Sequence, residues 1–498
     1  MKKITEYYPV IISLAGIKFL IQWVGNQNYG FHRDELLHLS ASEHLDWGYF
    51  EFPPLIALMG KISHFLFGYT LWGTRLFPTL AGVAILILCC LIAIEMGGKV
   101  RGVLLAGTCV LAFPPFYRNH LLFQPVAFDQ LAWVMGYYFL VKYINTKNIR
   151  FLLLTGFTAG IGLMNKYTIL VWGAGIAAGL LFHERGTLFK NRWLYISGLI
   201  ALLIVLPNFL WQVNHDFPLL LHLQTLKERQ LAQIGPFDFG LTQLHFPFTL
   251  VVSIVGTIGL ISDAELKKYK SIGIAVLVTF VTMWVLRSKA YYIFAIYPVA
   301  FAAGAVKLER AMRSRPRLYY TVITILVVPA LFIIPELTPV LPIDQYVKYY
   351  RKEEVNGRVE LTGDYADMFG WDEQVRLVDS VYQSLSGAEK QNCQLWAENY
   401  GEAGALKILG KMYDLPHPVC RHGSFWLWGY GNADAKIWIS LGNETNTVER
   451  VFEDVKLVKR IKHKYAISEE NDIPLYICRN PKVDIPAWWR SYEGHIFE

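Results

Sequence analysis

Residues Asn28–Leu55 read NYGFHRDELLHLSASEHLDWGYFEFPPL and lie between two apolar runs, Tyr8–Val24 and Leu71–Ile94. Asp34 and Glu35 stand side by side in this stretch, flanked by His32, Arg33 and His38. RDELLHLSASEHL has apolar residues at helical spacing, and acids favour the first turn of a helix. On the charges alone, a capped and solvated helix accounts for the pair. The rest of the stretch asks for more. LDWGYFEFPPL is aromatic, is punctuated by Gly and Pro, and leads into an amphipathic segment, Leu55–Phe67. A long, structured, amphipathic loop between two apolar runs is expected to lie along a bilayer interface and to wall a cavity there.

Composition agrees with a membrane chain. Of 498 residues, 17% are charged and 54% hydrophobic, where a soluble chain carries about 25% charge. The 15 Trp and 28 Tyr suit interfacial belts. No basic stripe, RNA-binding signature or finger spacing accompanies the net charge of +7, which argues against nucleic acid as a partner. The start MKKITEYYPV looks like the charged end of a signal peptide. Lys18 interrupts the run that follows, and no small-residue cleavage site comes after it, so a retained first membrane helix is expected.

Spans of about 20 mostly apolar residues are expected near 7–24, 71–96, 101–116, 124–144, 151–164, 167–183, 193–211, 241–261, 271–287, 291–306 and 318–336. The fifth and sixth are short enough to be one broken helix. Lys and Arg collect on alternate loops: Lys2 and Lys3; Lys99 and Arg101; Lys147 and Arg150; Arg185, Lys190 and Arg192; Lys267, Lys268 and Lys270; and a cluster from Lys307 to Arg317. That bias places the amino end in the cytoplasm and everything after about Pro335 outside it. Near residue 340 charges become frequent and apolar runs shorten. QLWAENY, KIWISL and PLYICR read as buried strands and GEAGALKILGKMY as a helix, which together predict a small α/β domain. The expected division is a membrane domain over 1–337, with a first outer loop over 25–70, and an extracytoplasmic domain over 338–498. Cys393 and Cys420 are expected to pair in that oxidising compartment, with Cys478 as a competitor. Cys89, Cys90 and Cys109 are apolar filler.

Asp129 sits about one turn into a span, in FDQLAWVMGYYFL. An acid there is costly and marks a functional candidate, although a hydrated interfacial Asp also accounts for it. Lys166 in GIGLMNKYTIL, and Arg287 and Lys289 in RSKAYYIFAIYP, sit at outer turns. Snorkelling to head groups explains each one alone. Together, acids and cations from five loops converge on one membrane face, an arrangement suited to an anionic, lipid-borne ligand.

RDELLHLSASEHLDWGYFEFPPL, FDQLAW, GIGLMNKYT, SKAYYIFAIYPVAFAAGA and YADMFGWDE together resemble the GT-C membrane glycosyltransferases. The branch is that of the bacterial relatives of protein O-mannosyltransferases and aminoarabinose lipid A transferases. NYGEAGAL and SFWLWGYG carry the likeness into the C-terminal third. The resemblance implies a polytopic α-helical membrane protein of about eleven transmembrane helices, GT-C type, with a C-terminal extracytoplasmic α/β domain, in a bacterial inner membrane. It implies a polyprenyl-phosphate-sugar donor, an extracytoplasmic acceptor (envelope glycan, lipid or protein) and inversion at the anomeric carbon.

Asp34 matches the first-loop aspartate of that family and would accept the acceptor's proton; Glu35 and Asp129 are the other acid candidates. The leaving phosphate implies cations: Lys166, Arg287 and Lys289, with Arg33 and Arg118 behind them. His38 is a further first-loop candidate. Aminoarabinose transferases carry Glu-Lys before the Pro pair, and here the pair is Glu51-Phe52, which argues against aminoarabinose chemistry. Glu51 with His222 and His245, and with His215 nearby, is the candidate set for a divalent metal, which the mechanism does not require. The competing readings are a transporter or flippase for a lipid-linked sugar and a non-catalytic binder of one. The chain shows no inverted repeat of the kind many transporters carry.

Overall fold

The computed structural model describes residues 4–184 and 190–497, so Lys2, Lys3 and Arg185 of the expected cytoplasmic set lie outside the described residues. Helix α1 (Tyr8–Gly25) leads into the first outer loop, which holds α2 (Arg33–Ala41) and α3 (Leu55–Phe67). Then come α4 (Leu71–Glu95), α5 (Val100–Leu111), α6 (Pro115–Asn119), α7 (Pro125–Thr146), α8 (Ile149–Leu163), α9 (Ile169–Glu184) and α10 (Arg192–Asn214). A second long loop carries α11 (Pro218–Arg229) and α12 (Asp238–Gln243). The series closes with α13 (Pro247–Ser262), α14 (Lys270–Val285), a 3-10 segment over Ala290–Ile296, α15 (Tyr297–Ala311) and α16 (Pro316–Leu337). Proline opens α7, α11, α13 and α16, where its missing N–H costs nothing.

Every expected span is largely helical, with breaks at 112–114 inside 101–116 and at 244–246 inside 241–261; by length and apolarity six helices among the described residues qualify to cross a membrane: Tyr8–Gly25, Leu71–Glu95, Arg192–Asn214, Lys267–Val285, Ala290–Ala311 and Pro316–Leu337. Helices α5, α8, α9 and α13 are apolar but shorter. Helix α7 is 22 residues long and carries Asp129 and Lys142. The fifth and sixth runs are two separate helices, α8 packing on α7 and α10, and α9 on α14.

The C-terminal part is built on one five-stranded sheet. Its strands are β1 (Cys393–Ala397), β2 (Pro418–Val419), β3 (Ile437–Leu441), β4 (Phe452–Ile461) and β5 (Ile473–Pro481). Their order is β2-β1-β3-β5-β4, with β1 parallel to β2 and β3, and β5 antiparallel to β3 and β4. β1 and β3 are buried throughout, as parallel strands covered on both faces must be. The edge strand β4 is largely exposed and carries Lys456, Lys459 and Arg460, charges that discourage edge-to-edge pairing. Helices α17 (Trp371–Gln383) and α18 (Tyr400–Ile408) cover this sheet. Helix α18 packs directly on α2: a Cβ at Gly404 would stand 2.8 Å from the Leu36 Cβ, so only glycine permits this approach. One hydrophobic core therefore runs from Leu36, Leu39, Phe52 and Ile56 of the first loop to Val378, Leu395, Ile439 and Leu475 around the sheet.

The expected Cys393–Cys420 disulfide is not formed, and both thiols are free and buried. The register explains why. Trp396 pairs with Val419 in the parallel ladder, so Cys420 lies level with Ala397, four residues beyond Cys393. At about 3.3 Å per residue the two are roughly 13 Å apart along the strand, beyond the ~7 Å Cα limit for a bridge.

Helix α2 is anchored at its N-terminal end. His32 Nδ1 accepts the Asp34 N–H at 3.1 Å and Glu35 accepts the His32 N–H at 2.9 Å, a reciprocal capping box. Arg75 of α4 then grips the Glu35 carboxylate through Nη2 at 2.8 Å and Nε at 3.0 Å. The Phe123 N–H adds a bond of 2.9 Å, and both charged side chains are 0% exposed. Arg75→Met leaves a buried, uncompensated carboxylate. It is expected to lower stability by ~3–5 kcal/mol, read as a fall in unfolding midpoint of the purified protein in detergent.

Candidate active site

Asp34 is the second residue of α2 and is half-buried. Gln124 Nε2, at the start of α7, donates to Oδ2 at 2.7 Å. Tyr400 Oη, at the start of α18, donates to Oδ1 at 3.0 Å. Burial pushes this carboxyl up, but His32, His38, the Tyr400 hydrogen bond and Arg118 together hold it below its ordinary value. His38, one helical turn along, is buried with its ring edge on Phe52, 4.6 Å between centroids. Burial brings it down to about 4, against the pull of Asp34 and Glu35, with Lys166 adding to the fall.

Asp34 acts on Tyr291, which with Tyr292 forms an aromatic and cationic group. Lys166, in the turn between α8 and α9, places Nζ 4.1 Å from the Tyr292 ring centre and 5.3 Å from that of Tyr291. Lys289 follows α14 and acts on His222 of α11. Burial first, and then the Lys289 charge, lower His222 to about 4. His222 also packs against Phe497, 5.0 Å between ring centres, and Phe497 neighbours His422. The ring closes at Tyr400, 5.1 Å from His422. Among the described residues, neither Lys166 nor Lys289 forms an ion pair.

The other residues singled out in the sequence stand elsewhere or are already engaged. Glu35 is closed to solvent by Arg75 and two backbone donors, so its geometry is that of scaffold. Arg33 is held by Asp367 at 2.8 Å and Glu469 at 3.1 Å. Arg118 forks onto Asp364 at 2.7 and 3.0 Å and reaches Gln124 at 2.8 Å. Both arginines are thus paired with acids of the C-terminal part. Arg287 is exposed at the end of α14 with φ +48°. Asp129 is 2% exposed and accepts from Trp133 Nε1 at 3.1 Å and Thr168 Oγ1 at 2.8 Å. It thereby fixes the turn that carries Lys166.

The metal set does not assemble. Glu51 takes the Ser424 N–H at 2.8 Å and the Ser424 hydroxyl, tying the first loop to the α/β domain. His245 is exposed beside Phe246, and His215 stacks on Trp211 at 4.0 Å. Among the described residues no three His, Cys, Asp or Glu side chains are grouped to hold an ion.

Gln124, Tyr400, His422 and the Tyr291–Tyr292 pair were not singled out in the sequence. The tyrosines lie inside two of the resemblance stretches, SKAYYIFAIYP and NYGEAGAL. Arg75, a charge inside the Leu71–Ile94 run, was a signal of the same kind as Asp129.

The crystal structure of ArnT from Cupriavidus metallidurans bound to undecaprenyl phosphate superposes with a TM-score of 0.63 over 95% of this chain and 98% of that one, at 14% identity. The chain has the GT-C fold. It is thus a multi-pass membrane protein of GT-C type with a sheet-containing C-terminal part. A second solved structure, the oligosaccharyltransferase of Archaeoglobus fulgidus in complex with Zn and sulfate, gives a TM-score of 0.52 at 11% identity, over 86% of this chain and 67% of that one. In sequence, the family described as dolichyl-phosphate-mannose-protein mannosyltransferase matches residues 51–211. A lipid A galacturonosyltransferase from Rhizobium johnstonii is 23% identical over 289 residues, 55% of this chain. The aligned region spans 59% of that relative's length.

The depressed Asp34 carboxyl carries a pH signature. A carboxyl held below its unfolded value adds stability that is complete above that value and is lost as pH falls through the folded one. The difference in unfolding midpoint between the protein and Asp34→Asn is therefore expected to stay level from pH 7 to about 4 and to change only below that. A change between pH 7 and 5 would contradict the assignment.

Proposed function

We propose that the protein is an inverting glycosyltransferase that moves a hexosyl or pentosyl unit from a polyprenyl-phosphate-sugar to an extracytoplasmic acceptor. The observation that carries this reading is the grouping of charges around one tyrosine pair. A half-buried aspartate, fixed by two donors, acts on Tyr291, while Lys166 and Lys289, without ion pairs among the described residues, act on Tyr292. A hydroxyl of the acceptor gives its proton to Asp34 as its oxygen bonds to the anomeric carbon. The bond from that carbon to the phosphate oxygen breaks on the opposite face, so configuration inverts. Lys166 and Lys289 receive the charge that develops on the departing polyprenyl phosphate. Asp129 keeps Lys166 in place, while Arg33 and Arg118 hold the α/β domain against the cleft.

An apolar cavity of about 490 Å³ supports a lipid-borne donor. Trp284, Phe280, Ile254, Ile258 and Tyr297 line it, and the 3-10 segment joins it to Lys289. The likeness to ArnT, solved with undecaprenyl phosphate, and to a lipid A galacturonosyltransferase supports a polyprenyl donor and a glycolipid acceptor. In this reading 1–337 is the membrane domain and 338–498 the extracytoplasmic one. The amino end is cytoplasmic, and the host membrane is the inner membrane of a bacterium.

Asp34→Asn is expected to fold and insert but to transfer at least ~10²-fold more slowly, measured with purified protein. Near-normal turnover in that variant would remove Asp34 from the role of base. Lys166→Ala or Lys289→Ala is expected to weaken use of the donor on the order of tenfold or more and use of the acceptor less. An equal loss for both would assign these lysines to folding.

A further inference from the structure

The carboxylate at the centre of the cleft is not aimed by its own helix alone. Gln124 holds one oxygen at 2.7 Å and is itself held by Arg118 Nη1 at 2.8 Å. The other oxygen meets Tyr400, which belongs to the α/β part of the chain, 366 residues away in sequence. Tyr400 sits on a rigid mount. Asn399 accepts the Gly401 and Glu402 N–H groups at 2.8 and 3.1 Å. Glu402 returns to the Glu398 N–H at 2.9 Å, and Asn399 Nδ2 reaches Glu470 at 2.9 Å. The Gly404–Leu36 contact presses this helix start onto α2. The phenol is therefore delivered to Asp34 by a locked helix N-terminus and not by a mobile loop.

An ionised carboxylate is free to rotate, and a base must present one lone pair to the acceptor hydroxyl at a fixed angle. One donor on each oxygen removes that rotation and still leaves the remaining lone pairs facing the cleft. We propose that Tyr400 is a positioning residue of the transfer reaction: its hydroxyl, donated by the α/β domain, fixes the Asp34 carboxylate in the orientation that accepts the acceptor's proton. The proton passes from the acceptor oxygen to Asp34, and Tyr400 keeps its own. This role rests on Asp34 being the base. It also means that the membrane part alone holds an incomplete site, because the α/β part supplies one of the two constraints.

The hydroxyl also stabilises the charged form of Asp34. Asp34 otherwise faces His32, His38, Arg118, Asp367 and Tyr291, none of which a change at Tyr400 removes. Tyr400→Phe deletes only the hydroxyl and keeps the ring beside His422.

The test measures turnover against pH for the protein, Tyr400→Phe, Asp34→Asn and the double variant, with a polyprenyl-phosphate sugar as donor. In Tyr400→Phe, kcat is expected to fall on the order of tenfold with KM for the donor unchanged. Its acid limb should move to higher pH, and in the Asp34→Asn background the second change should have no further effect. Wild-type kcat, an unmoved acid limb, or an equal loss in the Asp34→Asn background would overturn the role of Tyr400 while leaving Asp34 as base. Normal turnover in Asp34→Asn would overturn both.

Discussion

The buried pair of Glu35 and Arg75 is the contact on which the rest of the site depends. Neither charge sees solvent, and each satisfies the other together with backbone groups from the first loop and from Phe123. A buried ion pair of this kind contributes little net stability over an apolar pair, but it tolerates only one geometry. It fixes the rotation of α2 relative to α4. Asp34, the preceding residue, then has one direction left to point: toward Gln124, Tyr400 and the cleft. The adjacent carboxylates have opposite fates because one is spent on holding the helix and the other is left partly exposed.

The cations divide in the same way. Arg33 and Arg118 carry charge at the cleft but are neutralised by Asp367, Glu469 and Asp364, all from the α/β part. They act as clasps across the two parts of the chain. Glu51 does the same with Ser424. Among the described residues Lys166 and Lys289 lack such partners, and an unmatched ammonium beside aromatic rings is suited to a phosphate. The α/β part is therefore more than a cover. It shares a hydrophobic core with the first loop and brings Tyr400 to the central carboxylate.

Much of this was legible in the sequence, because apolar runs, cation asymmetry and acids in awkward places are local signals. The runs proved largely helical, and Asp34 and Lys166 both lie beside the Tyr291–Tyr292 pair. What could not be read was pairing at a distance. Nothing local distinguishes Glu35 from Asp34 until Arg75 arrives from the next helix, nor a free Lys289 from a clasped Arg118 until Asp364 is in place. Tyr400 lies in NYGEAGAL, but its role depends on a contact across 366 residues. The Cys393–Cys420 pairing failed for the same reason, since strand register decides it. The span count is a separate matter: six helices among the described residues qualify by length and apolarity, while α5, α8, α9 and α13 are apolar but short, and length is set by where turns form.

The central claim is that sugar leaves a lipid-borne phosphate in the cleft between Asp34 and the two lysines. The most direct measurement incubates purified protein with an envelope lipid acceptor and either a polyprenyl-phosphate sugar or a nucleotide sugar. Mass spectrometry then follows free polyprenyl phosphate and product, and NMR reads the product's anomeric configuration. The account predicts release of polyprenyl phosphate in step with an inverted product, and no product from the nucleotide sugar. Transfer from a nucleotide sugar with no lipid carrier present, or a product of retained configuration, would contradict it.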